Sequence, residues 1–438
     1  MSPAMLGFTG IIALLALLAL RIPVALATGG IAIAGFALSA VLSDAGMTQT
    51  FATIPPMLSD VLQADVVAMV MLFVTLGNIA FYAGISTRIY DAAQVWLRAV
   101  PGGLAMASVL GCGGFAAISG SSVGCASTMG RICVPEMLRH GYDPRLATSS
   151  VAVGGTLGSL IPPSVLFILY GLLSGQPIAR LFIAGLLPGL LSLAGMLAVI
   201  LWWIREEPGI APDPGPAGAS RAEATLALWP PLVLLAIIIG GLYSGLLSPL
   251  TAAAVCVGIA LAIGVLHHRL SAAMLWIVFR DSAVQGASLL LIVVTATLFL
   301  GLVQQSGAGM VLAEWARFGG LPALTVVALA AAACLVLGMF IEPLGILVLA
   351  MPVMVPLMQV YGMDPIWFGV ILVKLLEIAL ITPPVGLNVF VIGSVTRDIA
   401  VDRIFAGVAR FLLVDMLVLV VLILFPVLST LLPASMTL

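Results

Sequence analysis

Long apolar runs, broken at recurring points by glycine, proline and short charged loops, dominate this chain. A helix needs about 20 apolar residues to cross the hydrocarbon core of a bilayer. Runs of that kind lie at 5–20, 24–42, 66–85, 181–204, 226–247, 250–266, 283–303 and 405–432. Two further apolar segments, 146–173 and 366–394, each contain a Pro-Pro pair that removes backbone donors and interrupts the helix. Together these segments predict about ten spans. The stretches 101–138 and 321–358 are too long for one span and are broken near the middle by glycine, serine or proline. Each predicts a hairpin that enters and leaves on the same side, which a bilayer tolerates only where the tip is buried in protein or lines a cavity. The short charged segments 88–98 and 270–281 predict amphipathic helices in the interface plane.

The punctuation repeats. Pro135, Met137, Gly141, Asp143, Pro144, Pro162 and Pro163 recur as Pro356, Met358, Gly362, Asp364, Pro365, Pro383 and Pro384, all at one offset (356 − 135 = 221). Residues 205–225, rich in proline, glycine and charge, form the polar linker between two halves, 1–204 and 226–438. Interrupted membrane helices at matching positions of two halves point to the binding site of a secondary transporter.

Arginine placement sets an orientation. With the N-terminus outside, Arg21, Arg88, Arg98, Arg139, Arg145, Arg205, Arg269, Arg397 and Arg403 all fall on the cytoplasmic side, while the loops 44–65 and 359–364 contain no lysine or arginine. The first Gly-x-Asp-Pro loop carries Arg139, His140 and Arg145; the second has no basic residue between Met351 and Trp367. One copy is expected to face in and the other out, so the halves are expected to be inverted.

Composition fixes the class. With 62% hydrophobic and 8% charged residues, against about 25% charged in ordinary domains, the chain belongs in a lipid bilayer. A formal net charge of −2 leaves no basic stripe for nucleic acid. Cys112, Cys125, Cys133, Cys256 and Cys334 are scattered singly and read as packing residues. The apolar N-terminus lacks a basic region before it and reads as a retained span. No Gly-rich phosphate loop followed by Lys-Ser or Lys-Thr is present, and His140, His267 and His268 sit in polar loops away from any serine nucleophile. An enzyme is therefore not expected.

The candidate chemistry lies at the breaks. In the first hairpin, Ser119, Ser121 and Ser122 flank Gly120, so hydroxyls and freed carbonyls offer hard oxygen ligands to a small cation. The first broken helix adds Gly154, Gly155, Thr156, Gly158, Ser159, Pro163 and Ser164; the second reads Thr382, Pro383, Pro384, Val385, Gly386, Leu387, Asn388. Half-helix N-termini present partial positive charge to an anion, and the ends of the preceding halves present carbonyls to a cation. Glu342, after Gly338 in the second hairpin, is the candidate carboxylate of a second cation site. Lys374 and Glu377 lie three apart and are expected to neutralise each other; Arg131 is expected to snorkel, and Asp415 has no evident partner.

Ser119-Gly120-Ser121-Ser122, Pro135-Glu136-Met137, Gly141-Tyr142-Asp143, Ile161-Pro162-Pro163-Ser164, Leu181-Phe182-Ile183-Ala184-Gly185 and Thr382-Pro383-Pro384-Val385-Gly386 resemble the large membrane subunit of TRAP transporters, the tripartite ATP-independent periplasmic transporters. The resemblance implies an all-α polytopic membrane protein that drives uptake of a small organic acid with sodium. It also implies two partners, a separate small membrane subunit and a periplasmic substrate-binding protein, and a place in the bacterial inner membrane. The expected architecture is of elevator type, with the two hairpins and two broken helices as the mobile part. Sodium is expected at Ser119, Ser121, Ser122, Gly154 and Gly158 on one side and at Gly338, Glu342, Thr382 and Gly386 on the other. The substrate carboxylate is expected near Ser122, Pro163, Ser164, Pro384 and Asn388. The alternatives are an ion-coupled anion carrier that needs no binding protein, or a non-transporting scaffold or channel.

Overall fold

An Asp-Pro pair starts the same kind of helix twice. Asp143 accepts the Arg145 amide at 2.7 Å ahead of a helix at Pro144–Gly154, and Asp364 accepts the Ile366 and Trp367 amides at 2.8 and 2.9 Å ahead of Pro365–Ala379. Each carboxylate satisfies donors that the first turn leaves free, and proline fits the first helical position. In this computed structural model, which describes residues 2–42, 50–59, 61–212, 220–396 and 398–436, no strand occurs among those residues. Residues 43–49 and 60 of the basic-free loop, 213–219 of the linker, and Arg397 lie outside the described residues.

The first half runs α1 (Pro3–Ala19), α2 (Val24–Leu42), α3 (Ile54–Ser59), α4 (Ala64–Tyr82), α5 (Ile85–Leu97), α6 (Gly103–Ser119), α7 (Ser122–Arg139), α8 (Pro144–Gly154), α9 (Val165–Ser174), α10 (Ile178–Ala184) and α11 (Leu186–Glu206). The second runs α12 (Arg221–Ala227), α13 (Trp229–Tyr243), α14 (Pro249–Leu266), α15 (Ala272–Ser306), α16 (Ala308–Phe318), α17 (Ala323–Gly338), α18 (Pro343–Tyr361), α19 (Pro365–Ala379), α20 (Leu387–Val395), α21 (Val401–Leu424) and α22 (Val427–Ala434). The first residues of α7 and α18, and of α8 and α19, are each 221 apart (343 − 122, 365 − 144). Both Pro162-Pro163 and Pro383-Pro384 bonds are cis.

Among the described residues seven helices are long and apolar enough to cross a membrane, or eight if α12 and α13, bent by 45°, count as one span. The chain is a multi-pass all-α membrane protein. The sequence pattern predicts about ten spans, and the difference lies in short pieces. α1 and α17 stop at 17 and 16 residues, and the broken segments divide into helices of 9–15 residues. The expected interfacial helix at 270–281 is not separate: from Ala272 it is the start of α15, which continues unbroken for 35 residues. Nothing between Ala272 and Ser306 breaks it, as no glycine adopts positive φ and no proline intervenes.

Packing sorts the helices into two groups. α1, α2, α4, α14 and α15 pack on one another, while α6–α8 pack with α11, α20 and α21. Among the described residues, hydrogen bonds tie the first group across helices: Thr28 Oγ1 to Thr295 Oγ1 at 2.9 Å, Asn78 Nδ2 to Ser282 Oγ at 3.0 Å and to Gln285 Oε1 at 3.4 Å, and Tyr82 OH to Asp281 Oδ2 at 2.9 Å. All five cysteines are buried and free.

The expected Lys374–Glu377 pair does not form. Lys374 Nζ donates instead to Asp415 Oδ1 on α21 at 2.6 Å and to Ser192 Oγ on α11 at 3.0 Å, all three groups being buried. Asp415 thereby has the partner that the sequence did not reveal. A same-face neighbour lost to a carboxylate on a packed helix, because only the latter reaches Nζ directly. Arg131 is exposed.

At one end of the molecule, Arg145 bridges Asp143 (Nε to Oδ1, 3.1 Å) and Glu207 (Nη2 to Oε2, 2.8 Å). Arg410 donates to Glu206 and, at 2.7 Å, to Glu207, and lies 4.8 Å over the Trp203 ring. Burial pushes the Asp143 carboxyl up, but the Arg145 side-chain and backbone hydrogen bonds outweigh it and hold the group below its ordinary value. The Arg145 hydrogen bond likewise holds Glu207 below its ordinary value.

Candidate functional site

The first hairpin turns in two residues. Gly120 ends α6 with φ +63°, its amide donating to the Ala116 carbonyl at 3.0 Å; Ser121 is extended and its Oγ accepts the Gly124 amide at 3.2 Å to start α7. Glycine is required at 120 on two grounds. Its backbone is left-handed, and a Cβ there would stand 2.5 Å from the Pro163 carbonyl oxygen. The tip therefore rests on the Pro-Pro break between α8 and α9. From below, a short 3-10 turn at Gly155–Ser159 supports it. A Cβ on Gly158 would lie 2.8 Å from the Ser122 amide nitrogen, so this glycine lets the two backbones meet.

Ser122 is the junction. Its Oγ donates to Glu377 Oε1 on α19 at 2.7 Å and lies 2.9 Å from Ser159 Oγ. A hydroxyl carries one proton, so Ser159 is the donor of the second bond. Glu377 is fully buried and its Oε2 has no hydrogen-bond partner. Asn388, also fully buried, donates Nδ2 to the Ala152 carbonyl at 3.2 Å and leaves Oδ1 without a partner, as is Ser119 Oγ. Buried oxygens with spare lone pairs are unusual in a finished core, and they suit a small hard cation.

These groups border a cavity of about 630 Å³. One wall is the first tip, from Ser119 to Gly124, with Ser159 and Glu377; Glu342 and Pro343 add the second tip. The facing wall comes from α4 and α15: Asn78, Tyr82, Asp281, Gln285 and Ser288. Glu342, just before α18, is exposed and makes no capping bond.

Of the residues expected from sequence, Ser119, Ser121, Ser122 and Glu342 line this cavity, whereas Gly154, Gly158, Pro163, Ser164, Gly338, Thr382, Pro384, Gly386 and Asn388 do not. Several of these shape its backing. A Cβ on Gly154 would press on Cys112, and one on Gly338 would collide with Ala379; Ser164 Oγ accepts the Phe167 amide at 3.2 Å to start α9. Thr382 Oγ1 donates to its own helix at the Ile378 carbonyl, and Gly386 holds φ +54° against Phe405. Pro163 is buried while Pro384 is exposed. Sequence reasoning missed Glu377 as a site residue and the whole α4–α15 wall. Asn78, a lone amide in an apolar span, was the available signal for that wall.

The description "Tripartite ATP-independent periplasmic transporter, DctM component" matches residues 11–428. The chain belongs to this family. The resemblance carried by the serine and Pro-Pro motifs is thereby borne out. Among TRAP relatives, the chain is 34% identical over 326 residues to the C4-dicarboxylate TRAP transporter large permease protein of Pseudomonas aeruginosa, covering 74% of this chain and 76% of that one. It is 31% identical to the sialic acid TRAP transporter large permease protein of Vibrio cholerae over 82% of this chain and 84% of that one. It is 28% identical to the ectoine TRAP transporter large permease protein of Halomonas elongata over 87% and 89%. The fold is shared with the YdaH transporter of Alcanivorax borkumensis, at a TM-score of 0.61 and 14% identity over 97% of this chain and 98% of that one. The TRAP relatives are named as permease subunits of transporters.

Proposed function

We propose that this TRAP permease is the carrier subunit of a sodium-coupled secondary active importer of small organic acids. It works in the bacterial inner membrane with a small membrane subunit and a periplasmic binding protein that hands over the substrate. The observation that carries this reading is the junction at Ser122, where a hairpin tip of one half is bonded to Glu377 of the other beside a cavity. Ser119, Ser121, Ser122 and Glu377 offer oxygens for one sodium ion, backed by Gly154 and Gly158; Glu342, with the Gly338, Thr382 and Gly386 backbone, offers the second. The substrate carboxylate lies between the tips, near Ser122, where the N-termini of α7 and α9 favour an anion, with Pro163, Ser164, Pro384 and Asn388 shaping the floor. The halves 1–204 and 226–438 are inverted, and the hairpins and broken helices move as one body against α1, α2, α4, α14 and α15.

The test is uptake into proteoliposomes carrying the permease and its small subunit, with and without the binding protein. Ser122→Ala removes both hydroxyl bonds and is expected to lower sodium-dependent uptake at least about tenfold, leaving a buried carboxylate unpaired at a cost of about 1–3 kcal/mol. Wild-type uptake by Ser122→Ala would refute the site; uptake without the binding protein would refute the tripartite reading.

A further inference from the structure

Basic and aromatic side chains gather where α5 meets the start of the second half. α5 packs on α12, both touch α13, and α13 packs on α14. Arg88 Nη1 lies 3.4 Å from His267 Nε2, and His267 Nδ1 lies 2.8 Å from the Ile263 carbonyl oxygen. A carbonyl only accepts and a guanidinium only donates, so the ring is neutral, with its proton on Nδ1. About two turns further along α5, Trp96 Nε1 donates to Thr225 Oγ1 at 3.1 Å, and the Arg221 guanidinium stands 5.5 Å over the same ring. Trp229 closes the group, its ring 6.3 Å from that of His267.

The positive charge of this ledge has no counter-charge in the protein. Among the described residues neither Arg88 nor Arg221 enters an ion pair, nor does Arg269, which follows His267 and His268. The acids on the same two helices, Asp91 and Glu223, are exposed and equally unpaired. Arg145 and Arg410 show the alternative, since three carboxylates hold them. The surroundings fix the depth. Trp96 and Trp229 are exposed, and exposed tryptophan favours the headgroup level of a bilayer. Leu226 and Leu266, next in the chain to Thr225 and His267, are 71% and 75% exposed, a surface for acyl chains rather than water.

We infer that this ledge binds an anionic phospholipid, with Arg88 and Arg221 as the cationic contacts of its headgroup and the apolar surface beside them against its chains. A guanidinium offers a planar fork of donors to phosphate oxygens, and His267 and Trp96 hold the two forks in place. A zwitterionic lipid brings its own cation and leaves the arginine charge unmatched.

The experiment titrates the purified permease with its small subunit, in detergent, with phosphatidylglycerol, phosphatidylcholine or sodium phosphate. Retained lipid is read by native mass spectrometry, and stabilisation by the melting temperature. Phosphatidylglycerol is expected to be retained and to stabilise at a concentration at least about tenfold below phosphatidylcholine. Arg88→Gln and Arg221→Gln are each expected to weaken its retention about fivefold, whereas Arg139→Gln, at an exposed arginine outside the ledge, leaves it unchanged. Arg221 is exposed on a short helix, so its variant reads the site even where Arg88→Gln fails to fold. Equal retention of the two lipids, an equal loss in Arg139→Gln, stabilisation by sodium phosphate as strong as by the lipid, or no lipid retained by the complex each overturns the inference and leaves the carrier reading in place.

Discussion

Gly120 and Gly158 hold the first hairpin tip in place by what they lack. A methyl at 120 meets the Pro163 carbonyl from a backbone that L-residues avoid, and a methyl at 158 meets the backbone of Ser121 and Ser122. Gly120→Ala is expected to cost about 1–2 kcal/mol from the left-handed backbone alone, with more from the contact, and Gly158→Ala to separate Ser122 from Ser159. Both should lower the melting temperature of the purified permease and abolish its stabilisation by sodium. An exposed substitution such as Leu246→Ala should change neither. The serine cluster and its glycines were legible in the sequence because several special residues stood together at a fold-back. Glu377 was not. Its helix offers Lys374 as a same-face neighbour, whereas its actual partner Ser122 is 255 residues away, and helical periodicity carries no information about contacts between halves.

Two elements show how membrane packing settles what local pattern leaves open. The Lys374–Asp415 pair joins α19 to α21, with Ser192 of α11 as a third member. Lys374→Ala or Asp415→Ala strands a buried charge and is expected to cost about 3–5 kcal/mol, whereas the double change Lys374→Met with Asp415→Leu is expected to recover most of the loss. Melting temperatures of the three variants decide it; equal loss in the double variant would mean that the charges do more than cancel each other. The broken helices were legible because proline and Asp-Pro caps act locally. The continuity of α15 was not, since the charged stretch 270–281 has the composition of an interfacial helix and only packing against α2 and α4 shows one rod. At about 1.5 Å per residue, that rod is about 50 Å long, well beyond the hydrocarbon thickness of about 30 Å.

For the molecule as a whole, the proposed inversion has a direct check. Single cysteines at positions 143 and 364 are expected to label from opposite faces of the membrane with an impermeant thiol reagent; labelling from one face would end the inverted arrangement. The arginine cluster at Asp143, Arg145, Glu207 and Arg410 supplies a pH dependence. Both carboxyls are held below their ordinary values, so their contribution is fully present above about pH 4–5 and is lost as pH falls through the lower folded values. The melting temperature is expected to hold from pH 7 to about pH 5 and to fall below about pH 4, with Arg145→Ala flattening that fall. Partial exposure and salt keep the effect small. The transporter class was legible from the 221-residue recurrence and the apolar runs, while the whole cavity was not, because its facing wall comes from α4 and α15, which carry no shared motif.

One tie between helices reaches further than its size suggests. Thr28 and Asn78 fasten α2 and α4 to α15 at Thr295 and Ser282, points about 20 Å apart along the rod. A palisade riveted at two depths resists parting between its own posts, so on the carrier reading proposed above the chamber is expected to open on the opposite side, where the glycine-seated tip rests.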